Sequence, residues 1–144
     1  MISKSLLDSV KHHEGWRDKA YQDTEGVWTI GYGTNLQELT ISKETGERWL
    51  REQLEVAQDA ATRFPEWEYL NTAARREVFV EMIYNMGPSR VAGFRKTLAA
   101  IRRQEWYTAS TEMLDSKWAR QVGQRANTLA AVMWRGRKEA LSDN

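Results

Sequence analysis

Residues 14–33 read EGWRDKAYQDTEGVWTIGYG, and this stretch decides how the rest of the chain is interpreted. It begins with Glu14, at the end of a segment whose apolar residues recur at helical spacing. Asp23 to Gly26 has the composition of a turn, and residues 27–32 are rich in the β-branched and aromatic residues of a strand. The sequence therefore predicts a β-hairpin flanked by two carboxylates. Two acids held apart on a rigid frame suit general acid/base hydrolysis.

Composition narrows the class of protein. The 144 residues fit one domain with a core of its own. The absence of cysteine excludes disulfides and Cys-ligated metal sites and suits a reducing cytoplasm, while 2 histidines are too few for a His-rich site. No cofactor is expected. The apolar runs are shorter than the roughly 18 residues of a membrane span, and the first residues do not resemble a signal peptide.

Charge is distributed unevenly along the chain. Residues 1–70 hold 8 Lys and Arg against 13 Asp and Glu, whereas residues 71–144 hold 13 against 7. This bias is weaker than the basic excess of a nucleic-acid binder, so no nucleic acid is expected as partner. The C-terminal cations form either an ordinary solvated surface or an anchor on an anionic cell wall or outer membrane. This basic face consists of Lys117, Arg120, Arg125, Arg135, Arg137 and Lys138.

Helical periodicity predicts most of the remaining structure. A first helix spans Ser3 to His13 and ends near Gly15, and a long helix runs from Ser42 to about Arg63, before the break at Pro65. Thr72 to Met86 is the most apolar segment and is expected to lie in the core. Further helices are predicted over residues 95–103, 106–114, 117–122 and 125–138.

These elements predict one domain, residues 1–144, of the α+β class and mostly helical. A small β-hairpin lobe covers about residues 14–41, and a connecting helix covers about residues 42–63. A helical lobe covers about residues 64–144 together with the N-terminal helix. A cleft is expected between the lobes.

The spacing of Glu14, Asp23 and Thr29 within this stretch resembles the catalytic region of the phage-type lysozymes, glycoside hydrolase family 24, which are endolysins of tailed phages. The similarity continues in ISKETGERWLREQLEVAQDAA, in REVFVEMIYNMGPSRVAGF and in WRGRKEAL. It implies a lysozyme-like fold over nearly the whole chain. The segment between Gly33 and Ser42 is shorter than in the T-even phage enzyme, so a reduced small lobe is expected.

The resemblance implies hydrolysis of the β-1,4 bond between N-acetylmuramic acid and N-acetylglucosamine in peptidoglycan. Glu14 would be the general acid, Asp23 would orient a water on the opposite face of the sugar, and Thr29 would hold that water. This arrangement implies inversion at the anomeric carbon and requires the two carboxyl groups to be roughly 6.5–9.5 Å apart.

Further residues are matched to the family pattern. Arg125 matches an arginine that forms an ion pair with the catalytic glutamate. Thr34 stands where many relatives have histidine, which removes a supporting ion pair. His13 has no role in the pattern and is interpreted as a surface histidine at a helix end. Contacts with the sugar are expected at Asn35, Tyr84, Thr97 and Glu112.

Two other functions remain open at this level. A lytic transglycosylase needs one acid and forms an anhydro-muramyl product, and the presence of Asp23 and Thr29 argues against it. A non-catalytic wall-binding or antibacterial protein would act through its basic helices. An endolysin would be a monomer made in the host cytoplasm, and it would need a holin to reach the periplasm. Taken singly, Glu14 and Asp23 are interpreted as solvated surface acids.

Overall fold

The computed structural model describes residues 1–138. It confirms a mostly helical α+β fold with a small antiparallel sheet. Contacts divide the chain into two units, one of residues 1–46 and one that begins at residue 47. The end of the predicted C-terminal signature WRGRKEAL, residues 139–141, lies outside the described residues.

The first unit begins with helix α1, Lys4–Glu14. Ser3 caps its start, since the Ser3 Oγ accepts a hydrogen bond from the Leu6 amide over 3.1 Å. Gly15 ends it with a φ of 72°, and its N–H donates to the Lys11 carbonyl. Glu14 is therefore the last residue of the helix, which ends near Gly15 as predicted.

The sheet of this unit contains β1 (Arg17–Gln22), β2 (Trp28–Gly31) and β3 (Thr34–Asn35), hydrogen-bonded in that order. Both pairs are antiparallel, which confirms the predicted hairpin, and β3 adds a short third strand. In β2 the Thr29 side chain is buried while that of Trp28 is exposed. Because successive side chains of a strand point to opposite faces, Thr29 and Trp28 lie on different faces of the sheet.

The division between the units falls within the long helix α2, Lys43–Thr62. A 3₁₀ helix at Pro65–Tyr69 follows it. The remaining helices are α3 (Ala73–Met86), α4 (Pro88–Ala92), α5 (Arg95–Arg102), α6 (Trp106–Leu114), α7 (Lys117–Val122) and α8 (Gln124–Arg135).

Two details of the helical unit differ from the prediction. The short helix α4 was not expected, and it begins at Pro88, a residue that fits the first turn of a helix because its missing N–H is not needed there. Helix α8 ends at Arg135 rather than at Lys138. The cause is Gly136, which has a φ of 74° and donates its N–H to the Val132 carbonyl, a left-handed helix end.

Helix α3 supplies the centre of the core in this unit, as its apolar sequence predicts. Val78, Phe79, Met82 and Ile83 are each at most 3% exposed. Helices α4 and α8 pack against α3, and the same apolar core includes residues of α5 and α6. Among the described residues, no helix combines the length and apolar character needed to cross a membrane.

A buried arginine joins the start of α3 to the end of α8. The guanidinium of Arg75 donates to the carbonyls of Met133 and Trp134 and to Oδ1 of Asn71, each over 2.8 Å. It also lies 4.0 Å from the centre of the Trp106 ring. Burial lowers the pKa of Arg75 from its ordinary value. The guanidinium therefore satisfies carbonyls of the last turn of α8 that have no partner within the helix.

Candidate active site

The carboxylate of Glu14 lies against the backbone that follows β2. Its side chain is exposed, and its Oε2 is 2.7 Å from the position that a Cβ on Gly33 would occupy. Gly33 also has a φ of 82°, a conformation that side chains disfavour. Only glycine therefore allows this close approach without a shift of the carboxylate.

The carboxylate of Asp23 is oriented by the hairpin turn. Its Oδ1 accepts hydrogen bonds from the amides of Glu25 and Val27, each over 2.9 Å. The Asp23 amide in turn donates to the Val27 carbonyl over 2.9 Å. These turn bonds all use Oδ1 or the backbone, so Oδ2 takes part in none of them. One oxygen fixes the side chain, and the other remains available for chemistry.

The hydroxyl of Thr29 is held by the same residue that holds Asp23. Thr29 is 5% exposed, and its Oγ1 donates to the Val27 carbonyl over 3.0 Å. A hydroxyl has one hydrogen and two lone pairs, so towards another molecule Thr29 is left to act as an acceptor. The amide and carbonyl of Val27 thus bring Asp23 and Thr29 together.

The predicted sugar contact Asn35 also lies beside Thr29. The two residues are direct partners in the β2–β3 pair, so their side chains share one face of the sheet. The Asn35 Oδ1 accepts from the Gln37 amide over 2.9 Å, and the NH₂ group is not part of that bond. Asn35 is the one predicted sugar contact that belongs to the first unit.

The other predicted sugar contacts belong to the helical unit. Tyr84 on α3 is exposed, and its hydroxyl is 3.5 Å from Oε1 of Gln53. Thr97 on α5 is 3% exposed, and Glu112 on α6 is half-buried. Their part in substrate binding stays a prediction.

Arg125, the predicted support of the catalytic glutamate, has an acidic partner on α3. Its Nε lies 3.7 Å from Oε2 of Glu81, and both side chains are partly exposed. Sequence reasoning missed Glu81, because the two residues are far apart in the chain and no local pattern links them. The predicted support of Glu14 by Arg125 stays a prediction.

Sequence reasoning also missed the part played by Gly33. The signal was its place directly after a segment of strand-forming residues, where a glycine often marks a close approach of the backbone to another group.

His13 is exposed, with Nδ1 3.5 Å from the Ser9 Oγ. Within residues 1–138, no three His, Cys, Asp or Glu side chains are grouped so that they could hold a metal ion.

Comparisons with known proteins show the family to which the chain belongs. Residues 11–139 match the family described as phage lysozyme. The chain is 27% identical over 166 residues to probable T4-type lysozyme 2 of Dictyostelium discoideum, an alignment that covers 94% of this chain and 96% of that protein.

Two phage proteins are also similar to this chain in sequence. The endolysin of Acyrthosiphon pisum secondary endosymbiont phage 1 is 27% identical over 147 residues, covering 99% of this chain and 98% of that protein. The endolysin of Salmonella phage P22 is 32% identical over 103 residues, covering 64% of this chain and 67% of that protein. The chain therefore belongs to the phage lysozyme family.

Proposed function

We propose that this chain is a phage endolysin, a muramidase that hydrolyses the β-1,4 bond between N-acetylmuramic acid and N-acetylglucosamine in peptidoglycan and so lyses the host cell. The observation that carries this proposal is the hairpin, in which Val27 fixes both Asp23 and Thr29. The Glu14 carboxylate lies against Gly33, two residues beyond the end of β2. Membership of the phage lysozyme family supports the same reaction.

Glu14 acts as the general acid in the proposed mechanism. It donates its proton to the glycosidic oxygen as the bond from that oxygen to the anomeric carbon breaks. A water attacks the anomeric carbon from the opposite face and gives a proton to the Asp23 carboxylate. The product therefore has inverted configuration. Glu14 has lost one proton and Asp23 has gained one.

The hydrogen bonds of the hairpin define how the attacking water is held. Asp23 has Oδ2 available as an acceptor, and Thr29 offers only lone pairs because its hydrogen is directed at Val27. A water that donates one hydrogen to each of them keeps its own lone pair free. That lone pair is then directed at the anomeric carbon.

Product analysis tests the reaction class and the acid together. Purified peptidoglycan is digested with wild type and with Glu14→Gln, and the soluble fragments are weighed by mass spectrometry. A hydrolase gives reducing muramyl ends, whereas a lytic transglycosylase gives anhydro-muramyl ends that are lighter by one water. Glu14→Gln should give neither while folding normally. A folded Glu14→Gln variant with full activity would refute the assignment of the acid.

The route to the wall is part of the same proposal. The enzyme acts as a monomer that a holin releases from the host cytoplasm into the periplasm. Its basic face contacts the anionic outer membrane there, although Arg125 and Lys138 in this face pair with Glu81 and Glu77. Charge reversal at Arg135, Arg137 and Lys138 should then weaken the killing of intact cells and spare hydrolysis of purified wall. Unchanged killing would argue against the membrane contact.

The variant Glu14→Gln distinguishes the muramidase from a non-catalytic antibacterial protein. An antibacterial protein that acts through its basic helices would still lyse cells as Glu14→Gln, since the charge of those helices is unchanged. The muramidase proposal expects that lysis to disappear.

A further inference from the structure

Two exposed aromatic side chains of the first unit, Trp16 and Tyr32, belong to segments that adjoin Glu14 or the glycine beside its carboxylate. Trp16 is two residues beyond Glu14, and Tyr32 directly precedes Gly33, against which the Glu14 carboxylate lies. The ring centres of Trp16 and Tyr32 are 5.0 Å apart, with an angle of 50° between the planes. Trp16 is therefore close to the proposed acid in the chain, and Tyr32 adjoins the glycine that the acid's carboxylate approaches.

Trp16 remains open to another molecule although it is held in place. Its side chain is 63% exposed, and that of Tyr32 is 40% exposed. The Cζ3 atom of Trp16 is 3.6 Å from the position of a Cβ on Gly31, so the indole lies over a strand residue that has no side chain. The Lys11 ammonium lies 5.5 Å from the centre of the Tyr32 ring. The strand and Tyr32 thus support an indole that still presents much of its surface, and Lys11 in turn lies over Tyr32.

We infer that Trp16 is a substrate-positioning residue, whose indole packs against a pyranose ring next to the glycosidic bond, and that Tyr32 holds the indole in place. This inference rests on the proposed function. The C–H groups of a pyranose face are apolar and slightly positive, which suits the negative face of an indole. The polar groups at the sugar rim remain free to bind water or protein.

The position of the pair explains why a sugar is the occupant. A substrate whose glycosidic oxygen meets Glu14 must place its flanking rings beside the residues that adjoin Glu14. Trp16 is the large aromatic residue nearest to Glu14 in sequence, and Tyr32 directly precedes Gly33, against which the Glu14 carboxylate lies. A rigid aromatic surface loses little side-chain entropy on binding, so it is well suited to fix the orientation of a ring.

Kinetics of three Trp16 variants test the inference. Trp16→Ala and Trp16→Leu should raise KM for soluble peptidoglycan fragments about three- to tenfold and change kcat little, because stacking stabilises ground and transition states alike. Trp16→Phe should stay close to wild type, since it keeps an aromatic face. Leucine keeps apolar volume without that face, so it separates stacking from packing.

Trp134→Ala is the matched control. Trp134 is 47% exposed and forms a pair with Tyr107 at a centre-to-centre distance of 5.5 Å, but it belongs to α8 in the helical unit. Its KM should equal that of wild type. An unchanged KM for Trp16→Ala, or an equal rise for Trp134→Ala, would overturn the inference while leaving the muramidase activity standing. Thermal unfolding confirms that each variant is folded.

A binding measurement keeps this test separate from the proposed function. The N-acetylglucosamine tetramer is titrated into Glu14→Gln, and the indole N–H signals are followed by NMR, with the Trp16 signal assigned by Trp16→Phe. A shift of that signal on titration supports the inference even if wild type releases no reducing ends. A Trp16 signal that does not move overturns it.

Discussion

Gly33→Ala is expected to reduce peptidoglycan hydrolysis far more than its effect on stability would explain. The added Cβ would lie 2.7 Å from Oε2 of Glu14 and 3.2 Å from its Cδ. An ordinary contact is about 3.5 Å, so the carboxylate must retreat by roughly 0.8 Å. A misplacement of about 1 Å can cost about 100-fold in rate, and we expect kcat to fall roughly 10- to 100-fold.

The same substitution also strains the backbone. Gly33 has a φ of 82°, and alanine in that region costs about 1–2 kcal/mol of unfolding free energy. Gly87→Ala is a matched control, because Gly87 has a φ of 88° and no heavy atom within 4 Å of the added Cβ. It should lose a similar amount of stability and keep wild-type hydrolysis.

The assay is the release of reducing ends from purified peptidoglycan, measured well below the unfolding midpoints of both variants. Unfolding in urea gives the stability of each. If Gly33→Ala kept more than half of the wild-type kcat and lost stability as expected, the approach of Gly33 to Glu14 would be irrelevant to the chemistry. The reasoning from the close contact would then be wrong.

Asp23→Asn should fold like wild type, because the amide oxygen still accepts from the turn amides, but hydrolysis should fall about 100-fold or more, as circular dichroism and reducing-end release will show. Thr29→Ser should keep most of the activity and Thr29→Val should lose it in the same assay, since a methyl group cannot accept a hydrogen bond; equal activities would contradict the water-holding role. Arg75→Met should lower the unfolding free energy in urea by roughly 4–5 kcal/mol, because three charge-assisted hydrogen bonds disappear. Arg76→Met, at an exposed neighbour with one such bond to the Leu70 carbonyl, should lower it by about 1.5 kcal/mol, and equal losses would contradict the joining role of Arg75.

Much of the fold follows from local patterns in the chain. The predicted helix over residues 106–114 coincides with α6, and the prediction over 117–122 coincides with α7. The start of α7 is encoded locally by Ser116, whose Oγ accepts a hydrogen bond from the Ala119 amide. For α8 the prediction extended three residues too far, to Lys138, because it did not treat Gly136 as the end of the helix.

In the candidate site, too, the features formed within one segment could be predicted from the sequence, and those formed between distant segments could not. The positions of Asp23 and Thr29 in a hairpin follow from turn and strand residues, so sequence alone could place them. The approach of Glu14 to Gly33 joins a helix end to a segment beyond two strands, and Arg125 meets Glu81 across two helices. Such contacts depend on tertiary packing, and a pattern read along one segment carries no information about them.

The spacing between Asp23 and Thr29 has a geometric cause. Asp23 and Val27 close the hairpin, with the three residues 24–26 as its loop and a φ of 79° at Gly26. Thr29 follows Val27 by one strand period, so its side chain emerges on the same face of the strand. A shorter or longer loop would take the Val27 amide away from the Asp23 carboxylate, and a shift of one residue in the strand would turn the hydroxyl to the other face. The interval that singles out these residues in the sequence is therefore the interval at which one backbone residue, Val27, can bind both a carboxylate and a hydroxyl, as the proposed mechanism requires.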